Sequence, residues 1–224
     1  MNTSYFHSNM KSLTPCLLGL VLAAFFAPAN VLAQIEEQAR QILEENKSAL
    51  VVVTVQSTLE AGTTGDPLPP REQQRRTLGV TIGEDGLIMV SNSAIDASVG
   101  LEGQQAKRGE EVVTIQTAKS VFTEVEISYG DTTLLHGKVI RQDEEADVAF
   151  IMPDKAEAET LGKTFDFIDL SEFAATAQAA DQVIGLSRAS GVYGYMPIMT
   201  IGRISGVFKT CLLYTSDAAD DETS

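Results

Sequence analysis

The stretch Gly79-Val-Thr-Ile-Gly-Glu-Asp-Gly-Leu-Ile-Met-Val-Ser-Asn-Ser-Ala-Ile-Asp96 decides the fold. Thr77–Ile82, rich in β-branched and apolar residues, reads as a strand running into it. Glu84-Asp85-Gly86 then predicts a hairpin turn, because glycine accepts the positive φ that tight turns need. Leu87–Val90 is the returning strand, and it delivers the chain into the small polar run Ser91-Asn92-Ser93-Ala94. Residues 94–111 are largely polar and read as irregular.

The pattern continues on both sides. Upstream, Gln34–Asn46 has helical spacing, with Ile35, Ala39, Ile42 and Leu43 on one face. Lys47 and Ser48 end that helix, and Ala49–Leu59, rich in Val and Thr, reads as a strand. Glu60–Arg76 reads as a long loop punctuated by Gly62, Gly65, Pro67, Pro69 and Pro70. Downstream, Val112–Ala118, Thr123–Tyr129, Leu134–Ile140 and Ala146–Met152 read as strands. Thr123–Tyr129 alternates, with Val125 and Ile127 opposite Glu124 and Glu126. Pro153–Ala180 shifts to Ala, Glu, Asp and Thr and reads as a linker with one short strand or helical turn. Asp181–Ser187 is a further strand, and Met196–Val207 gives one or two more. Many short strands with glycine-marked turns and few helices indicate an all-β barrel or sandwich.

The ends differ from the body. Residues 1–33 have the features of a secretory signal: Lys11, an apolar run from Cys16 to Phe26, and Val31-Leu32-Ala33 before the expected cleavage point. That run is shorter than the ~20 apolar residues a membrane-spanning helix needs. Cys211–Ser224 breaks the preceding pattern and resembles translated sequencing-adapter DNA, so the authentic sequence is expected to stop near Val207 or Phe208. The bland alternative is an ordinary acidic tail. Both cysteines, Cys16 and Cys211, lie in these ends, which leaves the body without a disulfide, a cysteine metal site or a cysteine nucleophile. An exported body without cysteine fits a bacterial periplasm or cell envelope. Between Gln34 and Val207 there are 27 acidic and 14 basic residues, a balance that opposes binding to nucleic acid or anionic lipid.

Three segments carry a resemblance to one family. The first is Gly79–Asp96. The second is Val139-Ile-Arg-Gln-Asp-Glu-Glu-Ala-Asp-Val-Ala-Phe-Ile151, a strand, an acidic turn and a buried-type strand. The third is Asp181–Ser187 followed by Thr200-Ile-Gly-Arg-Ile-Ser-Gly-Val207. Their order and spacing resemble the HtrA/Deg group of trypsin-fold serine proteases. That resemblance implies an all-β, trypsin-like double β-barrel with the second barrel truncated and a short N-terminal helix. Its parts would be a signal peptide at 1–33, a helix at 34–47, a first barrel at 48–153, a linker and the start of the second barrel at 154–207, and the tail at 208–224.

The same resemblance assigns Asp147 to the triad aspartate. Aligned without a gap from Asp85-Gly86, it puts Ser93 in the position of the triad histidine; a slip of one residue would put Ala94 there instead. Neither a hydroxyl nor a methyl group can act as the general base that activates a serine. The body's one histidine, His136, falls on a strand leading toward Asp147 and away from that position. The family's nucleophile segment, Gly-Asn-Ser-Gly-Gly, is absent. Ser91 and Ser93 have no basic partner in sequence, and Glu110-Glu111 and Glu144-Glu145 read as solvated charge. No phosphate loop, zinc spacing or EF-hand pattern occurs, so no metal or cofactor is expected.

The function implied is that of an exported, non-catalytic protease relative, a pseudoprotease that binds extended or unfolded polypeptides, with a PDZ domain following as in many relatives. The alternative is a fragment of an active serine endopeptidase of envelope protein quality control. A third possibility is a structural envelope β-domain with no link to proteases.

Overall fold

The computed structural model describes residues 35–130, 133–172, 178–189 and 191–206. The signal at 1–33 and the tail at 208–224 lie outside the described residues. The chain divides into two units, Met1–Ile42 and Leu43–Ser224. In the first unit the described residues are helical, and Arg40 pairs with Glu36 and Glu37 one turn back. Helix α1 covers residues 35–46.

The second unit is built on a closed antiparallel barrel. Its strands are β1 (Leu50–Thr63), β2 (Arg71–Thr81), β3 (Ile88–Ser91), β5 (Glu111–Tyr129), β6 (Leu134–Asp143) and β7 (Val148–Pro153). They are hydrogen-bonded in the order β1-β2-β3-β7-β6-β5, and β5 pairs back onto β1. Pairing of β1 on both sides removes the open edges a flat sheet would leave. Strand β4 (Gln105–Arg108) extends the ladder outside the barrel by pairing with the start of β5. All-β architecture with few helices is therefore the observed class, and a barrel is chosen over a sandwich.

The core follows from alternation along the strands. Val51, Val53 and Val55 of β1, Ile88 and Val90 of β3, Val125, Ile127 and Tyr129 of β5, Leu135 of β6 and Ala149 and Ile151 of β7 form one buried cluster. Each fully buried Val or Ile contributes on the order of 1.5–3 kcal/mol relative to exposure. The β2–β3 turn has the chemistry its sequence calls for: Gly86 takes φ +83° and its N–H donates to the Gly83 carbonyl at 3.0 Å. The Leu87 N–H donates to the Asp85 carboxylate at 3.2 Å. Phe165, from the segment after the barrel, packs over this turn and onto the core.

Several expected boundaries are corrected. Val112–Ala118 and Thr123–Tyr129 are one strand, β5, because nothing between them breaks extended structure. The ladder stays in step through a bulge: Gln56 faces Glu124 and Ser57 faces Phe122, which leaves Thr123 as the extra residue. Thr123 Oγ1 donates to the Gln56 carbonyl at 3.1 Å. The long loop expected over residues 60–76 shrinks to residues 64–70, because β1 and β2 pair out to Leu59 and Arg71 and β1 then continues along β5. Residues 94–111, expected to be irregular, hold the last two residues of a one-turn helix, α2 (Asn92–Ile95), and strand β4. Pro153–Ala180, expected to be a linker with one short strand or helical turn, takes the helical form: helix α3 (Lys155–Thr160), capped by the Asp154 carboxylate, and a 3-10 turn at Leu170–Glu172.

Beyond this, β8 (Gln182–Arg188) and β9 (Pro197–Arg203) form a separate two-stranded antiparallel sheet. Arg188 ties it to the start of β1 by donating to the carbonyls of Lys47 and Leu50 at 2.6 and 2.7 Å. A third bond, 3.0 Å to the Tyr195 carbonyl, fixes the β8–β9 connection. No helix among the described residues is long and apolar enough to cross a membrane.

Candidate functional site

Two neighbouring strands bring the predicted site residues together. Ser91 of β3 faces Val148 of β7, so the exit of β3 and the entry of β7 lie side by side. The chain leaves β3 into α2, with Ser91 as its N-cap; the Ser91 hydroxyl accepts from the Ala94 N–H at 3.3 Å. Asp147 closes the β6–β7 turn in the left-handed region, φ 52°, a conformation aspartate tolerates better than most residues. Its carbonyl accepts from the Asn92 N–H at 3.1 Å, which clamps the turn to the first residue of α2.

The Asp147 carboxylate faces the serines. One oxygen accepts from the Ser93 N–H at 2.7 Å. The other accepts from the Ser91 hydroxyl at 2.9 Å and the Ser93 hydroxyl at 3.1 Å. The two hydroxyl oxygens are 3.2 Å apart. Hydrogen bonds from the Ser93 backbone first, and then from the Ser91 and Ser93 side chains, hold this carboxyl below the usual carboxylate range despite partial desolvation. Ser93, and not Ala94, is the residue whose side chain meets Asp147. Arg75 of β2 reaches the Ser93 carbonyl at 3.3 Å from the other side.

A polar network that sequence reasoning missed underlies α2. Asn92 is fully buried, and its side-chain oxygen accepts from the Gln142 amide at 2.7 Å. The same amide donates to Asp96 at 2.9 Å. The other Asp96 oxygen accepts from the Ser98 N–H and hydroxyl at 2.8 and 2.6 Å. Burial raises the Asp96 carboxyl, but the bonds from Ser98, Ser120 and Gln142 outweigh it and the net shift is downward. The separation of Asn92 from Asp96 is a helical one that sequence does show; the link to Gln142, on another strand, is not.

His136 is not part of this arrangement. It lies on β6, and the Asp154 N–H, just past the end of β7, donates to its carbonyl at 2.8 Å. Asp147 immediately precedes the start of β7, so the length of that strand, roughly 20 Å, lies between them.

Chemically, the site is a charged carboxylate held by three donors. A carboxylate held below its usual range is too weak a base to take a proton from a serine hydroxyl. The arrangement orders the β3–α2 turn, with Ser93 exposed and Ser91 half-buried, and engages both hydroxyls with the carboxylate. No protein-family model matches the chain, and no curated protein matches it.

Proposed function

We propose that this chain is an exported, trypsin-fold, serine-protease-like protein that holds extended or unfolded polypeptide without cleaving it. The observation that carries the reading is the Ser93–Asp147 contact. By the resemblance to the HtrA/Deg group Asp147 would stand for the triad acid and Ser93 for the triad histidine, and these two residues are hydrogen-bonded. Without an imidazole there is no group to shuttle a proton between a nucleophile and a leaving amine. The closed barrel followed by the β8–β9 hairpin is consistent with a first barrel and the opening of a second. Among the described residues β8 and β9 pair only with each other, so each keeps an outer edge to which an extended chain can add. The apolar run before Ala33 supports export to a bacterial periplasm or envelope.

The test measures binding and cleavage together. The purified protein is titrated against a fluorescent, permanently unfolded polypeptide by anisotropy, and the same mixtures are run on gels after long incubation and after treatment with a serine-reactive fluorophosphonate. Binding without fragments and without labelling is expected. Turnover that the probe abolishes would refute the absence of catalysis, and absence of binding would refute the choice of partner.

A further inference from the structure

His136 has an environment that the serine–aspartate site does not use. Its Nδ1 lies 2.7 Å from Glu157 Oε1, and its backbone N–H donates to Glu157 Oε2 at 2.7 Å. One carboxylate from the first turn of α3 therefore grips the residue at two points. In the neutral ring this places the proton on Nδ1 and leaves the Nε2 lone pair free for a ligand.

That lone pair faces more carboxylates. Glu126 is the cross-strand partner of His136 in the β5–β6 ladder, and Glu124 lies two residues along on the same face. Nε2 is 3.8 Å from Glu124 Oε1, and one ligand atom from each of Glu124, Glu126 and His136 lies within 4.8 Å of the others. The Gln56 amide donates to the remaining Glu124 oxygen at 2.5 Å, which orients that carboxylate. An ion bound at about 2.1 Å in tetrahedral geometry needs donor atoms about 3.4 Å apart. Small rotations of partly exposed glutamates close the difference.

We propose that Glu124, Glu126 and His136 form a divalent-cation site of the zinc class on the outer face of the β5–β6 ladder. The donor set selects the class: an imidazole nitrogen with carboxylate oxygens suits zinc, whereas calcium and magnesium call for oxygen alone. Glu157 is the outer partner that fixes the tautomer and raises the basicity of the ligating nitrogen. A fourth, open position for water remains. Because the ligands come from adjacent strands and not from a spaced sequence motif, the site has no zinc-finger signature.

The experiment uses the full chain carrying Cys16→Ser, Cys211→Ser and His7→Ala, so that no other thiol or imidazole supplies a ligand. Zinc is titrated into chelator-treated protein by calorimetry, and the His136 ring nitrogens are followed by long-range nitrogen–proton NMR. One zinc per chain is expected, with Nε2 shifted, Nδ1 still protonated and a thousandfold excess of magnesium unable to displace the ion. Glu124→Gln, Glu126→Gln and His136→Asn should each weaken binding at least tenfold, and Glu157→Gln about 10–100-fold. Circular dichroism melts check that the variants remain folded. A ring that responds to protons alone would make His136 an ion-pair partner of the glutamates and overturn the site. Zinc binding that survives Glu126→Gln and His136→Asn unchanged would do the same.

Discussion

Replacing Gly86 with alanine tests the hairpin on which the fold reading rests. Two separate costs are expected. The first is conformational: Gly86 sits at φ +83°, where an L-residue is strained, and holding alanine there costs about 1–2 kcal/mol. The second is steric: a Cβ at this position would lie 2.8–2.9 Å from three atoms of the Phe165 ring. That ring packs on the core and against Tyr129, with centroids 5.8 Å apart, so it yields only in part. A further cost of about 1–2 kcal/mol follows from overpacking. The sum, about 2–4 kcal/mol, corresponds to a fall in Tm of about 4–16 °C for a domain of this size. Gly100→Ala is the control. Its φ is +74° and a Cβ there meets nothing within 4 Å, so it should carry the conformational cost alone. Urea and thermal melts of both variants, and of Gly86→Ala combined with Phe165→Ala, separate the two costs in a double-mutant cycle. Equal destabilisation by Gly86→Ala and Gly100→Ala would refute the steric half of the argument. A Gly86→Ala protein as stable as the parent would refute both halves.

Three other outcomes are expected. Ile127→Ala, at a fully buried position on β5, should destabilise by about 2–5 kcal/mol in urea melts with little change in m-value; a loss below 1 kcal/mol would place Ile127 outside the core. Because the folded pKa of Asp147 lies below the usual 3.8, its contribution to stability is present above that value and is lost as pH falls through the folded pKa. Changing both Ser91 and Ser93 to alanine should raise the Asp147 carboxyl in NMR titrations and flatten stability over that acid range, and an unmoved titration would show the hydroxyls to be idle. Ser93→His should place an imidazole against Asp147, with the ring protonated at higher pH than a free histidine, yet yield no peptidase activity. Fluorophosphonate labelling of that variant would show that a nucleophile is present after all.

Local chemistry alone made much of the barrel legible. The β2–β3 hairpin announced itself through Asp85-Gly86, since only a turn with positive φ fits that pair between two apolar runs. The inward face of the second half of β5 was visible as alternation of Val125 and Ile127 with Glu124 and Glu126. Strand ends were less visible because pairing sets them. The last residues of β1, where Gly62 and Thr63 would end a strand by composition, stay extended because β5 runs alongside. Thr123 cannot be recognised as a bulge residue without its partner Gln56. Helix α2 is a single turn, too short for periodicity to show, and its cap is apparent only when Ser91 is seen accepting from Ala94.

The candidate sites divide in the same way. Asp147, Ser93 and the alternative Ala94 could be named from the order of segments, and the absence of a histidine there is a fact of sequence. That Ser93 and Asp147 touch, and that Ser91 joins them, depends on β3 pairing with β7, a contact between residues 54 and 56 positions apart. The Gln142 link between Asn92 and Asp96, and the gathering of Glu124, Glu126 and Glu157 around His136, are likewise products of pairing. The sequence by itself determined the middles of most strands, where the sharp turn falls and that the Val90–Ala94 run holds no histidine, because those follow from side-chain type and backbone sterics. Closure of β1 onto β5, the register of every ladder and the company each polar side chain keeps were decided by the tertiary structure, because strand pairing joins residues that no local preference connects.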